Sequence, residues 1–333
     1  MKHIFLINPI AGRGRASVEV LPDIVAAVKE MGVDYEIHRT VNEGDALRYV
    51  CARCEEHPDE ELRFYSCGGD GTMNEVLNGL FGFPKAQLAV IPAGTGNDFI
   101  RNFPNRKRFR DIRKQVEGSP VPVDVIRYEI LDAEPDAEAP DSLAGRIAPS
   151  GYALNMFNVG FDAEVVAKTA KIKGKPFMNG TTAYICGVGV VLAQLKKLEM
   201  TVEVDGAEVA SGQFLLAAAA NGRFSGGGFD GCPQAVTDDG EMDVVVVKSV
   251  TRGFFLSIVK KYHDGTHVGD PRLDGVLTHY RCREAVFRPK GKMSMAKDGE
   301  TSEVGAIRFT IVPRAIRLSM PAGSDPAVSD KSE

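Results

Sequence analysis

"LRFYSCGGDGTMNEVLNGL", residues 62–80, passes from an apolar run through a glycine turn into a segment with helical spacing of its apolar residues. Strand, tight turn and helix in that order form the repeating unit of a parallel sheet covered by helices. The unit recurs on both sides of the quoted stretch. "HIFLINP" (3–9) reads as a strand followed by an amphipathic helix over 17–31, and "VDYEIHRT" (33–40) as a strand followed by a helix over 43–57. The quoted stretch adds a third strand and a helix over 72–81, and "QLAVIPAG" (87–94) a fourth strand. Three glycine-bearing turns, "NPIAGRG" (8–14), "CGGDGT" (67–72) and "PAGTGND" (92–98), all fall at the carboxyl ends of these strands. Open α/β sheets bind their ligands there.

The turn after the third strand carries a carboxylate, Asp70, where many phosphate-cradling loops carry a lysine. Gly68 and Gly69 leave backbone N–H groups accessible, Thr72 is placed to cap the following helix, and a helix N-terminus holds anions without any cation. A carboxylate beside phosphate is repulsive unless a cation lies between them. Asp70 therefore points to Mg²⁺, which takes carboxylate, water and phosphate oxygens together. Taken alone the turn also reads as a tight glycine bend with a helix cap. The second turn with the same character, "IPAGTGNDF" with Thr95, Asn97 and Asp98, tips the balance towards a ligand.

From about residue 123 the pattern changes to extended segments separated by hairpin-like turns: "PVDVIRYEI", "YALNMFNVG", "LEMTVEVDG", "EVASGQFLLAAAANG", "EMDVVVVKSV", "VLTHYRCREAVFRPK" and "AIRFTIVP". They predict a mainly antiparallel β domain with helical interruptions near 161–171, 181–197 and 252–263. An acidic, proline-rich excursion (131–150) and the last dozen residues read as mobile. The expected division is 1–122 for the α/β domain, with 315–322 as a candidate return to it, 123–314 for the β-rich domain, and 323–333 as a tail.

Composition bounds the rest. The chain has 333 residues, 44% of them hydrophobic, enough for two cores, and its formal net charge of -5 argues against a nucleic-acid binder. The N-terminal apolar run is too short for a signal peptide. No run reaches the ~20 apolar residues of a membrane span; "AYICGVGVVLAQL" (183–195) and "QFLLAAAAN" (213–221) read as a core helix and a buried strand. A cytoplasmic protein is expected. Six cysteines form no disulfide framework, and the Cys51–Cys54 pair lacks the further ligands a zinc site needs.

"NPIAGRG", "CGGDGTMNEV" and "IPAGTGNDF" together resemble the catalytic domain shared by diacylglycerol kinases, sphingosine kinases and bacterial lipid kinases. "NVGFDAEV", "ANGRFSGGGFDGCPQAVTDDGEMDVVVV", "KDGE" and "VPRAIRLSMP" extend the likeness to the bacterial diacylglycerol kinase branch over nearly the whole chain. The resemblance implies a Rossmann-like parallel α/β nucleotide-binding domain followed by a β-sandwich domain, and transfer of the γ-phosphoryl group of ATP to a lipid hydroxyl, diacylglycerol first among the candidates. It places ATP against Asn8, Gly12 in the "AGRG" turn, Thr40, Ser66, Cys67, Gly68, Gly69, Asp70, Gly71, Thr72 and Thr95. It assigns the catalytic Mg²⁺ to Asp70, Asp98 and Asp124, and proton acceptance to Asp298 and Glu300, whose roles it does not separate. A second, structural Mg²⁺ would be held by the Asp239 side chain and the backbone carbonyls of Val236 and Glu241. The lipid acceptor implies transient contact with a membrane surface. The stretch 101–114, with seven basic residues and one acid, and the lysines of "KTAKIKGKPF" (168–177) are either that contact or solvated faces. Homodimerisation through the β domain enters by analogy alone. The rival readings are an NAD-kinase-like enzyme, which shares GGDGT but not the pairing with PAGTGND and DGE, and a catalytically silent nucleotide-binding module.

Overall fold

The computed structural model describes residues 1–94, 96–132, 149–172, 191, 197–297 and 300–324. The chain forms two compact units: one made of Met1–Val125, Thr237–Asp239 and the residues from Pro313 on, the other of Ile126–Val236 and Gly240–Val312.

In the first unit, β1 (Lys2–Ile7), α1 (Leu21–Met31), β2 (Tyr35–Arg39), α2 (Asp45–Glu56), β3 (Leu62–Gly68), α3 (Asp70–Leu80) and β4 (Ala86–Pro92) alternate as the sequence pattern predicts. A short helix α4 (Ile112–Val116) and the first half of β5 (Ser119–Ile130) follow. The strands pair in parallel in the order β2-β1-β3-β4. Their register aligns Ile7 with Arg39 and with Cys67, and Gly68 with Pro92, so all four strands end on one line. Each glycine turn leaves the sheet from that line. Phe5, Ile7, Tyr65, Cys67, Ala89 and Ile91 from alternate strand positions pack against Ile24 and Val28 of α1 and Ile112 and Val116 of α4. This is the period-3.6 stripe of a helix laid on the period-2 face of a sheet. Arg63 is fully buried on β3 and spends its guanidinium on Gln87 and on the carbonyls of Gln115, Val116 and Gly118, so it is a structural cation.

The second unit is antiparallel. It contains β6 (Ser150–Ala153), β7 (Met156–Gly160), α5 (Phe161–Ile172), β8 (Leu198–Val204), β9 (Ala207–Ala220), β10 (Phe224–Ser225), β11 (Phe229–Asp230), β12 (Met242–Lys248), α6 (Arg252–His263), β13 (Leu277–Cys282), β14 (Glu284–Pro289), β15 (Met293–Lys297) and β16 (Glu300–Val304). The last strand, β17 (Ile307–Met320), pairs antiparallel with β14 through its first half. Its second half pairs parallel with β4 inside the first unit. The long strand β9 is the hub, pairing with β7, β8 and β12. One face buries Phe157, Phe214, Phe287 and Phe309; the other carries α5 and α6 over Leu216 and Val247, with Phe161 of α5 and Phe255 of α6 in the same cluster.

Two expectations change. "YALNMFNVG" is two strands, broken at Leu154–Asn155, where Asn155 turns its carbonyl to the N–H groups of Asn221 and Gly222. "VLTHYRCREAVFRPK" is likewise two strands parted at Arg283, where Asp205 accepts from the N–H groups of Arg283 and Glu284. Met293–Lys297 and Glu300–Val304, outside the extended segments quoted above, pair as β15 and β16, in keeping with a reading of "AKDGET" as a hairpin turn. The core helix expected over 181–197, the acidic excursion and the tail lie almost wholly outside the described residues. No helix among the described residues is long and apolar enough to cross a membrane.

Candidate active site

The three glycine turns of the first unit touch one another. Gly12, at φ +60°, lies so close to the loop after β4 that a Cβ there would overlap the Ala93 carbonyl oxygen. Gly94 lies on Gly69, where a Cβ would come 2.5 Å from the Gly69 Cα. The N–H groups of Ala93 and Gly94 both donate to the Gly68 carbonyl at 2.9 Å. Asn8 closes the group: its N–H donates to the Cys67 carbonyl at 3.1 Å and its Nδ2 to Thr72 Oγ1 at 3.0 Å. Thr40, at the end of β2, donates its N–H to the Ile7 carbonyl at 3.0 Å. Glycine here serves contact between backbones: any side chain would hold the turns apart.

The helix α3 starts two residues earlier than the sequence suggests. Gly69, extended at φ -102°, takes the N-cap position and no side chain caps the helix. Thr72 is therefore not a cap. Its hydroxyl accepts from Asn8 and lies beneath Gly68, which has no room for a Cβ. An uncapped N-terminus presents first-turn N–H groups to a ligand, which is the requirement for holding an anion.

Asp70 sits in that first turn. Its Oδ2 accepts from the Asn97 N–H at 2.7 Å and its Oδ1 from the Asp98 N–H at 3.0 Å. Asn97 adopts φ +56° to make this approach, and its Nδ2 donates to the Gly94 carbonyl at 2.8 Å. Asp70 thus latches the loop after β4 onto α3. Burial, and next the nearby Asp98 charge, push its carboxyl up to about 6 against the pull of three N–H donors, those of Asn97, Asp98 and Asp70 itself. Asp98 is itself 8% exposed and lies 3.0 Å from Arg101. Asp70 and Asp98 are two buried carboxylates, and the Asp98 charge raises the proton affinity of Asp70, so together they form an oxygen-only donor pair. The residues present fit a Mg²⁺ ion.

The other predicted residues are placed as follows. Ser66 and Cys67 are buried within β3; the Ser66 hydroxyl has no hydrogen-bond partner among the described residues, and the Cys67 thiol donates to the Tyr65 carbonyl. Asp124 is fully buried on β5. Its N–H donates to the Thr237 carbonyl at 2.8 Å, and its Oδ1 accepts from Arg314, which adopts φ +50°, at 2.6 Å. Burial and the Asp124 charge raise the Asp238 carboxyl above its ordinary value. Val236, Asp239 and Glu241 lie in the loop between β11 and β12, with the Glu241 carboxylate 2.9 Å from Arg281. Glu300 opens β16 in register with Lys297. Asp298 and Thr95 lie outside the described residues.

Two roles escape the sequence reading. Asn97, singled out there as part of a ligand turn, fixes the loop after β4 through its own left-handed backbone, and its signal is an asparagine between glycine and aspartate, a common left-handed position. Glu75, one turn into α3, accepts from the N–H groups of Gly44 and Ala46 at 2.9 and 3.0 Å and so caps α2 from its neighbour. No local pattern announces a cap supplied from 30 residues away.

Comparison with known proteins completes the picture. The diacylglycerol kinase catalytic domain matches residues 2–128, and the YegS C-terminal NAD kinase beta sandwich-like domain matches residues 155–320. The chain belongs to the diacylglycerol kinase and YegS family of lipid kinases. A protein of Shewanella frigidimarina named "Probable lipid kinase YegS-like" is 25% identical over 96% of this chain and 94% of its own. A protein of Mycobacterium tuberculosis named "Diacylglycerol kinase" is 28% identical over 93% and 94%. Among solved structures, one from Bacillus anthracis str. Sterne shares the fold with a TM-score of 0.69 at 24% identity, covering 98% of each chain. Another from the same strain, described as a diacylglycerol kinase, has a TM-score of 0.64 at 21% identity. The chain is a lipid kinase of a family that uses ATP, and its parallel α/β unit with touching glycine turns is the family's catalytic domain.

Proposed function

We propose that this kinase transfers the γ-phosphoryl group of Mg–ATP to the free hydroxyl of diacylglycerol, giving phosphatidic acid and ADP. The observation that carries the reading is the Asp70 latch: a first-turn carboxylate with a second carboxylate, Asp98, close enough to raise its proton affinity, beside an uncapped helix N-terminus. In this reading the N–H groups of the first α3 turn hold phosphate oxygens, and Asp70 and Asp98 hold the cation. Bound Mg²⁺ supplies charge neutralisation between the phosphates. Transfer of this kind is mostly positioning and electrostatics. The lipid oxygen forms its bond to phosphorus as the bond to the β-phosphate oxygen breaks, and the hydroxyl proton passes to the carboxylate pair Asp298 and Glu300, with Asp124 and the Asp239 loop in supporting roles. Diacylglycerol as the acceptor is favoured by the mycobacterial relative's name.

The lipid is met at a membrane surface. Arg106, Lys107 and Arg110 stand exposed on the short helical turn Arg106–Arg110 with no acidic partner among the described residues, whereas Arg101, Arg113 and Lys114 are paired with Asp98, Glu30 and Asp111. These three cations suit an anionic bilayer. The decisive experiment supplies labelled ATP and Mg²⁺ with mixed micelles of diacylglycerol, monoacylglycerol, a sphingoid base or phosphatidylglycerol, and with NAD in a separate reaction. Label in phosphatidic acid supports the proposal. Label in another lipid replaces the acceptor, and label in NADP alone overturns the reading.

A further inference from the structure

In the antiparallel unit, β17 lies between β5 and β14. Alternate residues of the three strands, among them Tyr128, Phe309 and Phe287, go to the core. The residues between them therefore point to the opposite face: Arg127 and Glu129 from β5, Arg308 and Thr310 from β17, and Glu284 of β14 in register with Thr310. Together they line a hollow of about 190 Å³. At ~30 Å³ each that is room for about six waters, which suits a compact polar molecule and is too little for a nucleotide.

Other ion pairs of this unit close fully: Arg288 reaches Glu203 at 2.7 Å and Arg281 reaches Glu241 at 2.9 Å. In the hollow the charges stand apart. Arg308 has Glu129 at 3.5 Å from Nη1 and Glu284 at 3.6 Å from Nε, both beyond the ~2.9 Å of a good N–H···O bond. Its Nε is buried with no hydrogen-bond partner among the described residues, and folded proteins rarely leave such a donor unmet. Arg127 is exposed and has no acidic partner among the described residues. Two guanidiniums and two carboxylates balance in charge. A simple anion would be repelled by Glu129 and Glu284, and a simple cation by the two arginines. A molecule that carries both signs satisfies all four. Paired guanidinium forks suit the several oxygens of a phosphate. The carboxylates favour a primary ammonium with its three N–H donors over a quaternary one, which wants an aromatic face. The Tyr128 ring supplies no such face, being buried against Phe157.

We propose that this hollow binds a zwitterion in which a short chain joins a phosphate to a primary ammonium, the phosphoethanolamine group. Arg127, Arg308 Nε and the Thr310 hydroxyl take the phosphate, and Glu129 and Glu284 take the ammonium. The group arrives either as the free molecule or as a phospholipid headgroup. The site does not require that diacylglycerol be the phosphoryl acceptor.

The test is calorimetry on the full chain without nucleotide or Mg²⁺, titrated with phosphoethanolamine, phosphocholine, inorganic phosphate or ethanolamine. Phosphoethanolamine should bind at least about tenfold tighter than each of the other three, the worth of one charge-assisted hydrogen bond. Arg127→Ala should weaken it at least about tenfold while the melting temperature holds; phosphate held at the glycine turns of the first unit would not respond to that change. Glu129→Gln should weaken phosphoethanolamine and strengthen inorganic phosphate, an inversion that a loss of folding does not produce. Dihexanoyl phosphatidylethanolamine below its micelle concentration decides the source: binding as tight as the free group assigns a lipid headgroup, and binding lost assigns the free molecule. Phosphoethanolamine that binds no tighter than inorganic phosphate or phosphocholine, or undiminished binding by a folded Arg127→Ala variant, overturns the proposal. Because the readout needs no phosphoryl transfer, binding without diacylglycerol kinase activity would sink only the acceptor assignment, and activity without binding only this hollow.

Discussion

Replacing Asp70 by asparagine separates its two tasks, latching the loop and carrying charge. Burial and Asp98 raise its carboxyl from 3.8 to about 6, about 2 units or roughly 3 kcal/mol of disfavoured ionisation at pH 7. An uncharged amide removes that burden. It also turns an NH₂ group towards one of the two backbone donors, Asn97 or Asp98, a loss of about 1–3 kcal/mol. The two effects nearly cancel, so Asp70→Asn should unfold within about 2 kcal/mol of the parent protein at pH 7. Turnover should nevertheless fall by about 100-fold or more, because a positioned charge at a transferring phosphoryl group is lost. In the metal-free parent, the native carboxyl keeps a proton that the unfolded chain has released between pH 4 and 6. Stability therefore declines as pH rises through that window, and Asp70→Asn should abolish the decline attributable to this group. Urea unfolding across that range and a labelled-ATP assay measure both sides. Parent-like turnover in a folded Asp70→Asn protein would refute the charge role, and a collapse in stability matching the lost activity would make the residue a latch alone.

Four further outcomes are expected. His3 is buried, and burial and then the Arg63 charge push it down to about 4, so the unfolded chain gains a proton first as pH falls from 6.5; acidification through that window should cost up to about 3 kcal/mol, and His3→Gln should remove that component in urea midpoints compared at pH 7 and 5. Gly94→Ala would drive a Cβ to 2.5 Å from Gly69 Cα; it should cost about 1–3 kcal/mol and abolish ATP binding measured by calorimetry. Glu75→Ala leaves the Gly44 and Ala46 N–H groups without their acceptor and should lower unfolding free energy by about 1–2 kcal/mol. Changing Arg106, Lys107 and Arg110 together to alanine should weaken sedimentation with anionic vesicles by about 100-fold at low salt, at ~1 kcal/mol for each charge, with no change on neutral vesicles.

Much of the first unit was legible because its signals are local. A strand of period 2, a helix of period 3.6 and glycines between them specify the order, and parallel pairing then brings Gly12, Gly69 and Gly94 to one edge. What local patterns do not carry is which backbone each side chain meets. The Asp70 carboxylate bonds to N–H groups 27 and 28 residues away, and the Asn8 amide reaches Thr72 across 64. In the antiparallel unit the segments were visible but their breaks were not, because the parting at Arg283 depends on Asp205, 78 residues distant.

A crystal structure of the protein soaked with Mg²⁺ and a non-hydrolysable ATP analogue measures the central claim most directly. The account predicts phosphate density against the N–H groups at the start of α3 and a metal within coordination reach, directly or through one water, of Asp70 and Asp98. Phosphates seated away from the three glycine turns, with no ion near those two carboxylates, would contradict it.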